Sequence, residues 1–201
     1  MTITGMNTEK QILVAAREIF IVKGFEGARM QESANKAGIN KALLHYYFRS
    51  KDRLFEAIFS EVAVHLFPAM KQILEAELGV KEKITFFVKA YLQWLMENPF
   101  IPGFVLNTLN TNPDRFLTYF KKSGLNPMIL QKQIEEEAGQ GLIRSVKAEH
   151  LIVNIVAMCI FPFIARPIVQ NMFGKNDEEY KQYLEERETE IIGVVLKSIS
   201  V

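Results

Sequence analysis

Cysteine is almost absent from this chain: Cys159 is the only one in 201 residues. That excludes an internal disulfide framework and any Cys-cluster metal site, and makes a reducing, cytoplasmic setting the expectation. The three histidines, His45, His65 and His150, are scattered, and no HExxH, GxGxxG or P-loop pattern accompanies them. Neither a metal nor a cofactor is expected. Paired catalytic carboxylates and a nucleophile with an adjacent base are also missing, which argues against an enzyme. Long hydrophobic runs are lacking too. The most apolar stretch, 151–163, contains Asn154 and Pro162 and meets Arg166 short of 18 clean residues, so no membrane span is expected. Residues 1–7 are short and mildly polar and do not read as a signal peptide. Charge of one sign is scarce as well, since 24 Lys and Arg against 23 Asp and Glu leave +1.

The small net charge hides an uneven distribution. Residues 1–52 hold eight Lys and Arg against five Asp and Glu, an excess of +3, and residues 53–201 carry −2. A basic end of this size is a modest electrostatic footprint for nucleic acid. It gains weight because the most informative segment, 30–51 (MQESANKAGINKALLHYYFRSK), lies within it. Ala34 is small enough to let a crossing helix come close. Gly38 falls where one helix must end and the backbone reverse, a position suited to positive φ. Asn40 can then cap a second helix in which Lys41, His45, Tyr46 and Tyr47 cluster, with Lys51 just beyond. This is the layout of a helix-turn-helix whose second helix enters a major groove. The plainer alternative is a structural helical hairpin whose aromatics only pack.

No repeat, low-complexity tract or strand alternation interrupts a helical reading. A first helix is predicted from Thr8, where a Thr8/Gln11 capping box fits, to a stop before Gly24, with Ile12, Ala15, Ala16, Ile19 and Phe20 as its apolar stripe. Short helices follow over 29–37 and 41–47. Ser50 should cap the next, which runs toward residue 78 with a kink or break at Pro68. Further helices are predicted over 80–97, between Pro102 and Pro113, and over 115–122, 127–139, 147–173 and 177–200. The helix over 147–173 is apolar on nearly every side at its centre, so it must be covered all round. With the apolar face of the last helix (Ile191, Ile192, Val195, Leu196, Ile199) it suggests a symmetric four-helix homodimer interface. Glu135, Glu136 and Glu137 read as a solvated run, His65 and His150 as surface residues, and Cys159 as a small buried apolar residue.

The motifs Gly24-Phe25-Glu26-Gly27, Ala34, Ala37-Gly38-Ile39-Asn40-Lys41 and Leu44-His45-Tyr46-Tyr47-Phe48-Arg49-Ser50-Lys51-Asp52-Arg53-Leu54 resemble the tetracycline-repressor (TetR) family. The match covers about a quarter of the chain. It implies an all-α protein in which an N-terminal three-helix helix-turn-helix DNA-binding domain (6–66) joins a C-terminal helical ligand-binding and dimerisation domain (67–201). It also implies DNA contacts from Lys41, Ala42 and Leu43 at the start of the recognition helix. His45, Tyr46 and Tyr47 would follow along it, Lys51 would anchor a phosphate, and Arg29 and Gln31 would approach the backbone from the preceding helix. Phosphate contacts would set register, leaving Lys41 and His45 to read bases. Lys51→Ala is then expected to weaken binding to all sequences and to flatten its salt dependence. Three positions depart from the family pattern. His45 replaces a tyrosine, Ser33 a large aliphatic residue and Leu43 a small hydroxyl residue, which alters the expected sequence preference.

The aromatics between the termini would usually be core. In a one-component regulator they would instead line an effector cavity: Phe87, Tyr91, Trp94, Phe104, Phe116 and Phe120, with Met128 and Met158. No charged residue stands out among them, which favours a hydrophobic or amphipathic small molecule. The function expected is a ligand-responsive, homodimeric transcriptional regulator, more a repressor than an activator, on a near-palindromic operator in double-stranded DNA. The alternative class is a helical small-molecule-binding protein that keeps the DNA-binding module without a regulatory role.

Overall fold

The computed structural model describes residues 8–111 and 113–201 and, within them, every side chain except those of residues 62, 63, 107, 108, 111, 115 and 116. The expectations for residues 1–7 and for the Phe116 side chain therefore lie outside the described residues. Eleven helices and no strand occur among the described residues: α1 (Thr8–Gly27), α2 (Met30–Lys36), α3 (Lys41–Tyr47), α4 (Lys51–Glu75), α5 (Val80–Glu97), α6 (Ile101–Thr111), α7 (Pro113–Ser123), α8 (Met128–Gly139), α9 (Ala148–Ile164), α10 (Arg166–Phe173) and α11 (Asp177–Ile199). By its contacts the chain divides into two compact units, Met1–His65 and Leu66–Val201.

In the first unit, α1 is broken at Gly24, whose φ of 67° and ψ of 178° lie outside helical space, so the helix proper stops where the glycine predicts. Behind the break, Phe20, Phe25 and Phe55 form a ring cluster. Phe55 meets Phe20 edge-on at 4.9 Å and Phe25 at 5.3 Å between centroids. Ile12, Ala16, Ala34, Leu44, Leu54 and Ile58 complete a dry core. Ala34 is fully buried there, as its small size requires. Ser33 is buried beside it, where an aliphatic side chain would bury more apolar surface.

In the second unit, α5 faces α8, α9 and α11 through Val80, Ile84, Val88, Leu92 and Leu95, against Ile134, Ile155, Cys159, Ile191, Val195 and Ile199. A buried polar tie supports this core. Lys83 donates from Nζ to Leu74 O and to Gln133 Oε1, both at 2.7 Å, and Gln133 Nε2 donates to Leu78 O at 2.6 Å. Glu137 accepts the Val80 N–H at 2.9 Å. Glu137 is thus a half-buried cap on α5 and not part of a solvated run; Glu135 and Glu136 are exposed.

Two helix boundaries depart from expectation. The helix foreseen over 147–173 is two, α9 and α10, bent by 73° at Ala165. Pro167 explains the bend: it lacks an N–H, its ring crowds the preceding turn, and it is tolerated only in the first turn of a new helix. By contrast, α4 runs through Pro68 and ends at Glu75. The carbonyl that Pro68 deprives of a donor is that of Val64, an exposed residue, so water can replace the lost bond. No single described helix is long and apolar enough to cross a membrane.

Candidate nucleic-acid interface

The turn between α2 and α3 is built by its backbone. Gly38 takes φ 67° and donates its N–H to Asn35 O at 3.1 Å, while Ile39 N–H reaches Ala34 O at 3.0 Å. These are the two hydrogen bonds of a Schellman stop, and they satisfy carbonyls that the end of α2 would leave orphaned. Asn40 then adopts extended backbone and its Oδ1 accepts the Leu43 N–H at 2.8 Å, which caps α3. At the far end, Ser50 Oγ accepts the Arg53 N–H at 3.2 Å and opens α4.

One buried side chain, Leu44, seats the seven-residue α3, with Phe48 buried just beyond it. The consequence is exposure of everything else on α3: Lys41, Ala42, Leu43, His45, Tyr46 and Tyr47. Tyr46 is 80% exposed, an unusual cost for an aromatic with no partner surface. Its ring stands at 90° to that of Tyr47 with centroids 5.5 Å apart, so the two hydroxyl-bearing rings hold each other's orientation. Arg29, the residue before α2, is exposed, and Gln31 is exposed with its Nε2 donating to Asn35 Oδ1 at 2.8 Å. Two ion pairs, Lys23 to Glu32 at 2.6 Å and Lys36 to Glu18 at 2.5 Å, fix α2 on α1. The Lys23 ammonium beside Glu32 holds its carboxyl below the ordinary 4.5.

Lys51, expected as a phosphate anchor, is also held by the backbone of its own domain. Its Nζ donates to Phe25 O at 2.9 Å and to Glu26 O at 3.4 Å, and lies 4.5 Å from the Phe25 ring centroid. Two of three N–H bonds therefore brace the turn after Gly24, and at most one is left for a phosphate.

The aromatic residues expected to line a cavity separate into two sets. Phe87, Tyr91, Trp94 and Met158 come together on the α5–α9 core, with Tyr91 and Trp94 stacked at 14° and 6.2 Å. Burial raises the Tyr91 phenol pKa and pushes the adjacent Cys159 thiol up to about 12. Phe104 is buried, whereas Phe120 and Met128 are exposed. His65 and His150 are exposed. The sequence reading missed Lys83, which is buried in the polar tie to Leu74 O and Gln133, and Arg187, whose Nε is buried without a hydrogen-bond partner. For Arg187 a signal was available: it interrupts the inward stripe Tyr180, Leu184, Ile191, Val195, Ile199 of α11.

A compact helical unit presenting a capped, exposed α3 after a Schellman turn defines a helix-turn-helix DNA-binding protein. The family model for bacterial regulatory proteins of the tetR family matches residues 12–58. The chain is 29% identical over 85 residues to the HTH-type transcriptional activator FasR of Mycolicibacterium smegmatis, covering 42% of this chain and 39% of that protein. It is 25% identical over 169 residues to the HTH-type transcriptional repressor NicS of Pseudomonas putida, covering 77% and 74%. A crystal structure of a TetR/AcrR-family regulator from Thermobifida fusca shares the fold, with a TM-score of 0.59 and 19% identity over 92% of this chain and 96% of that one. Residues 12–58 therefore carry a tetR-type helix-turn-helix, and the chain is a DNA-binding transcriptional regulator. Regulation, not ligand binding alone, is the function class its relatives share.

Proposed function

We propose that this regulator is a repressor that binds a near-palindromic operator as a homodimer and leaves it when a small apolar or amphipathic molecule binds the second unit. On this reading residues 6–66 are the DNA-binding domain, residues 67–201 hold the effector and the partner subunit, and the protein works in the cytoplasm. The observation that carries it is the exposed face of α3, where six side chains project from one buried leucine. The repressor sign draws support from the likeness to NicS along most of both chains. The Phe87, Tyr91, Trp94 and Met158 cluster supports an effector with an apolar body. A stripe of exposed apolar residues on α9, Val153, Ala157, Phe161 and Ile164, together with Val194 on α11, supports a homodimer through the C-terminal helices.

Helix α4 contributes residues to both units and is the element through which effector binding would act. The effector must bind the DNA-free form more tightly by the coupling free energy, about 1–3 kcal/mol. Sequencing genomic fragments retained by the purified protein would supply the operator. Affinities of Lys41→Ala and Arg29→Ala for it then test the division of labour. Lys41→Ala should lose affinity by about 1–3 kcal/mol and relax preference at one base pair. Arg29→Ala should weaken all duplexes alike and reduce the salt slope by about one. Retention of no duplex in a salt-sensitive manner would overturn the operator assignment.

A further inference from the structure

Among the described residues of α2 and α3, Leu43 is the one large aliphatic side chain that stands exposed. Leu44 and Phe48 seat α3 in the core, and Leu43 does not join them. Successive side chains turn by about 100° around a helix, so the buried Leu44 fixes where the rest of α3 points. Ala42 and Tyr46, two positions to either side of it, face about 160° away and form the outermost ridge. Tyr46 is accordingly 80% exposed. Lys41 and His45 lie together on one flank of that ridge, and Leu43 and Tyr47 on the other, 37% and 36% exposed. One flank of α3 thus carries nitrogen donors, and the other is apolar at Leu43 and aromatic at Tyr47.

A helix in the major groove meets base edges that offer donors and acceptors, with one apolar group among them, the C5-methyl of thymine. Against the edge of guanine, adenine or cytosine, Leu43 would strip water from polar atoms and return no hydrogen bond. Against a thymine methyl it removes apolar surface of both partners from water. Leu43 also projects from the opposite flank to Lys41, so the two side chains meet different base pairs.

We propose that Leu43 is a specificity-determining residue that selects a thymine in each half-site through its C5-methyl group, at a base pair other than the one Lys41 reads. This rests on the operator reading above and adds one base to what α3 recognises. The operator would come from the genomic fragments that the full-length protein retains. Each thymine of one half-site would then be replaced in turn by deoxyuridine, which deletes a methyl group and leaves base pairing and every hydrogen-bonding edge in place.

One thymine is expected to show a loss of affinity of about fourfold, the worth of one buried methyl. In Leu43→Ala the unmodified operator should bind more weakly, and the penalty at that thymine should disappear. Leu43 is exposed and alanine is the better helix former, so the variant keeps its fold, which its melting temperature checks. Leu43→Met, apolar and of similar volume, should retain most of the penalty. Lys41→Ala should weaken operator binding and keep the methyl penalty at full size. If no deoxyuridine substitution matters, or if the penalty survives in Leu43→Ala and so belongs to Ala42 or Tyr46, the role of Leu43 is overturned while DNA recognition by α3 stands. If the protein shows no preference among duplexes, the operator reading fails and this one with it.

Discussion

Gly38 holds φ at 67° with nothing within 4 Å of the place where a Cβ would project. Substitution there meets backbone strain and no clash. Gly38→Ala should cost about 1–2 kcal/mol, read from the urea midpoint, and Gly38→Asn less, since asparagine tolerates the left-handed region better. Equal stability of Gly38→Ala and wild type would mean that the turn is not held in this conformation in solution. The contrast between Gly38 and Arg187 shows what a sequence discloses at this scale. Gly38 and Asn40 announce themselves because turn chemistry is local, set by residues within five positions. Arg187 is notable only through what surrounds it, namely the apolar neighbours on its own stripe. Lys51 lies between these cases. Its position beside the helix-turn-helix was legible, but its bonds to Phe25 O and Glu26 O link residues 25 or more positions apart.

At the scale of the element, α2 is a seven-residue helix that could not stand alone, because helices this short are marginal in water. It is held by Ala34 and Ser33 in the core and by ion pairs to α1 from Glu32 and Lys36. The Glu32 carboxyl is held below its ordinary value chiefly by its hydrogen bond from Lys23. A carboxylate depressed in the folded state stabilises the fold fully above its unfolded value and loses that contribution as pH falls through the folded value. The melting temperature of wild type, higher at pH 6, should therefore fall more than that of Glu32→Gln as pH drops toward about 3, so that the gap between them closes in the lowest range. Parallel melting curves for the two proteins over that range would show that Glu32 titrates normally. Helix positions were largely legible: α3 and α5 follow from capping and apolar spacing. The bend between α9 and α10 was missed because a continuous apolar run masks the stop that Pro167 imposes.

At the scale of the molecule, one α3 can read only one half of a near-palindromic site, and successive major grooves on one face of a duplex lie about 34 Å apart. The proposed regulation therefore needs a second subunit, and the chain offers a surface for one. On α9, Val153 and Phe161 are 65% and 62% exposed, eight residues apart on a helix whose opposite face packs into the core through Leu151, Ile155 and Cys159. Composition alone could show that this helix is apolar all round; only the fold shows which face its own neighbours leave uncovered. Phe161→Glu places a charge at the centre of that stripe. Sedimentation equilibrium should give twice the 23.1 kDa chain mass for wild type and a dissociating species for Phe161→Glu. Phe86→Glu is the matched control, because Phe86 is an exposed aromatic on a different helix, α5, and should leave the mass unchanged. Operator affinity should fall with the mass, in Phe161→Glu alone, since a monomer forfeits the second half-site. A wild-type protein that sediments as a monomer and still binds a full operator would remove the need for the stripe, and with it the dimeric mechanism.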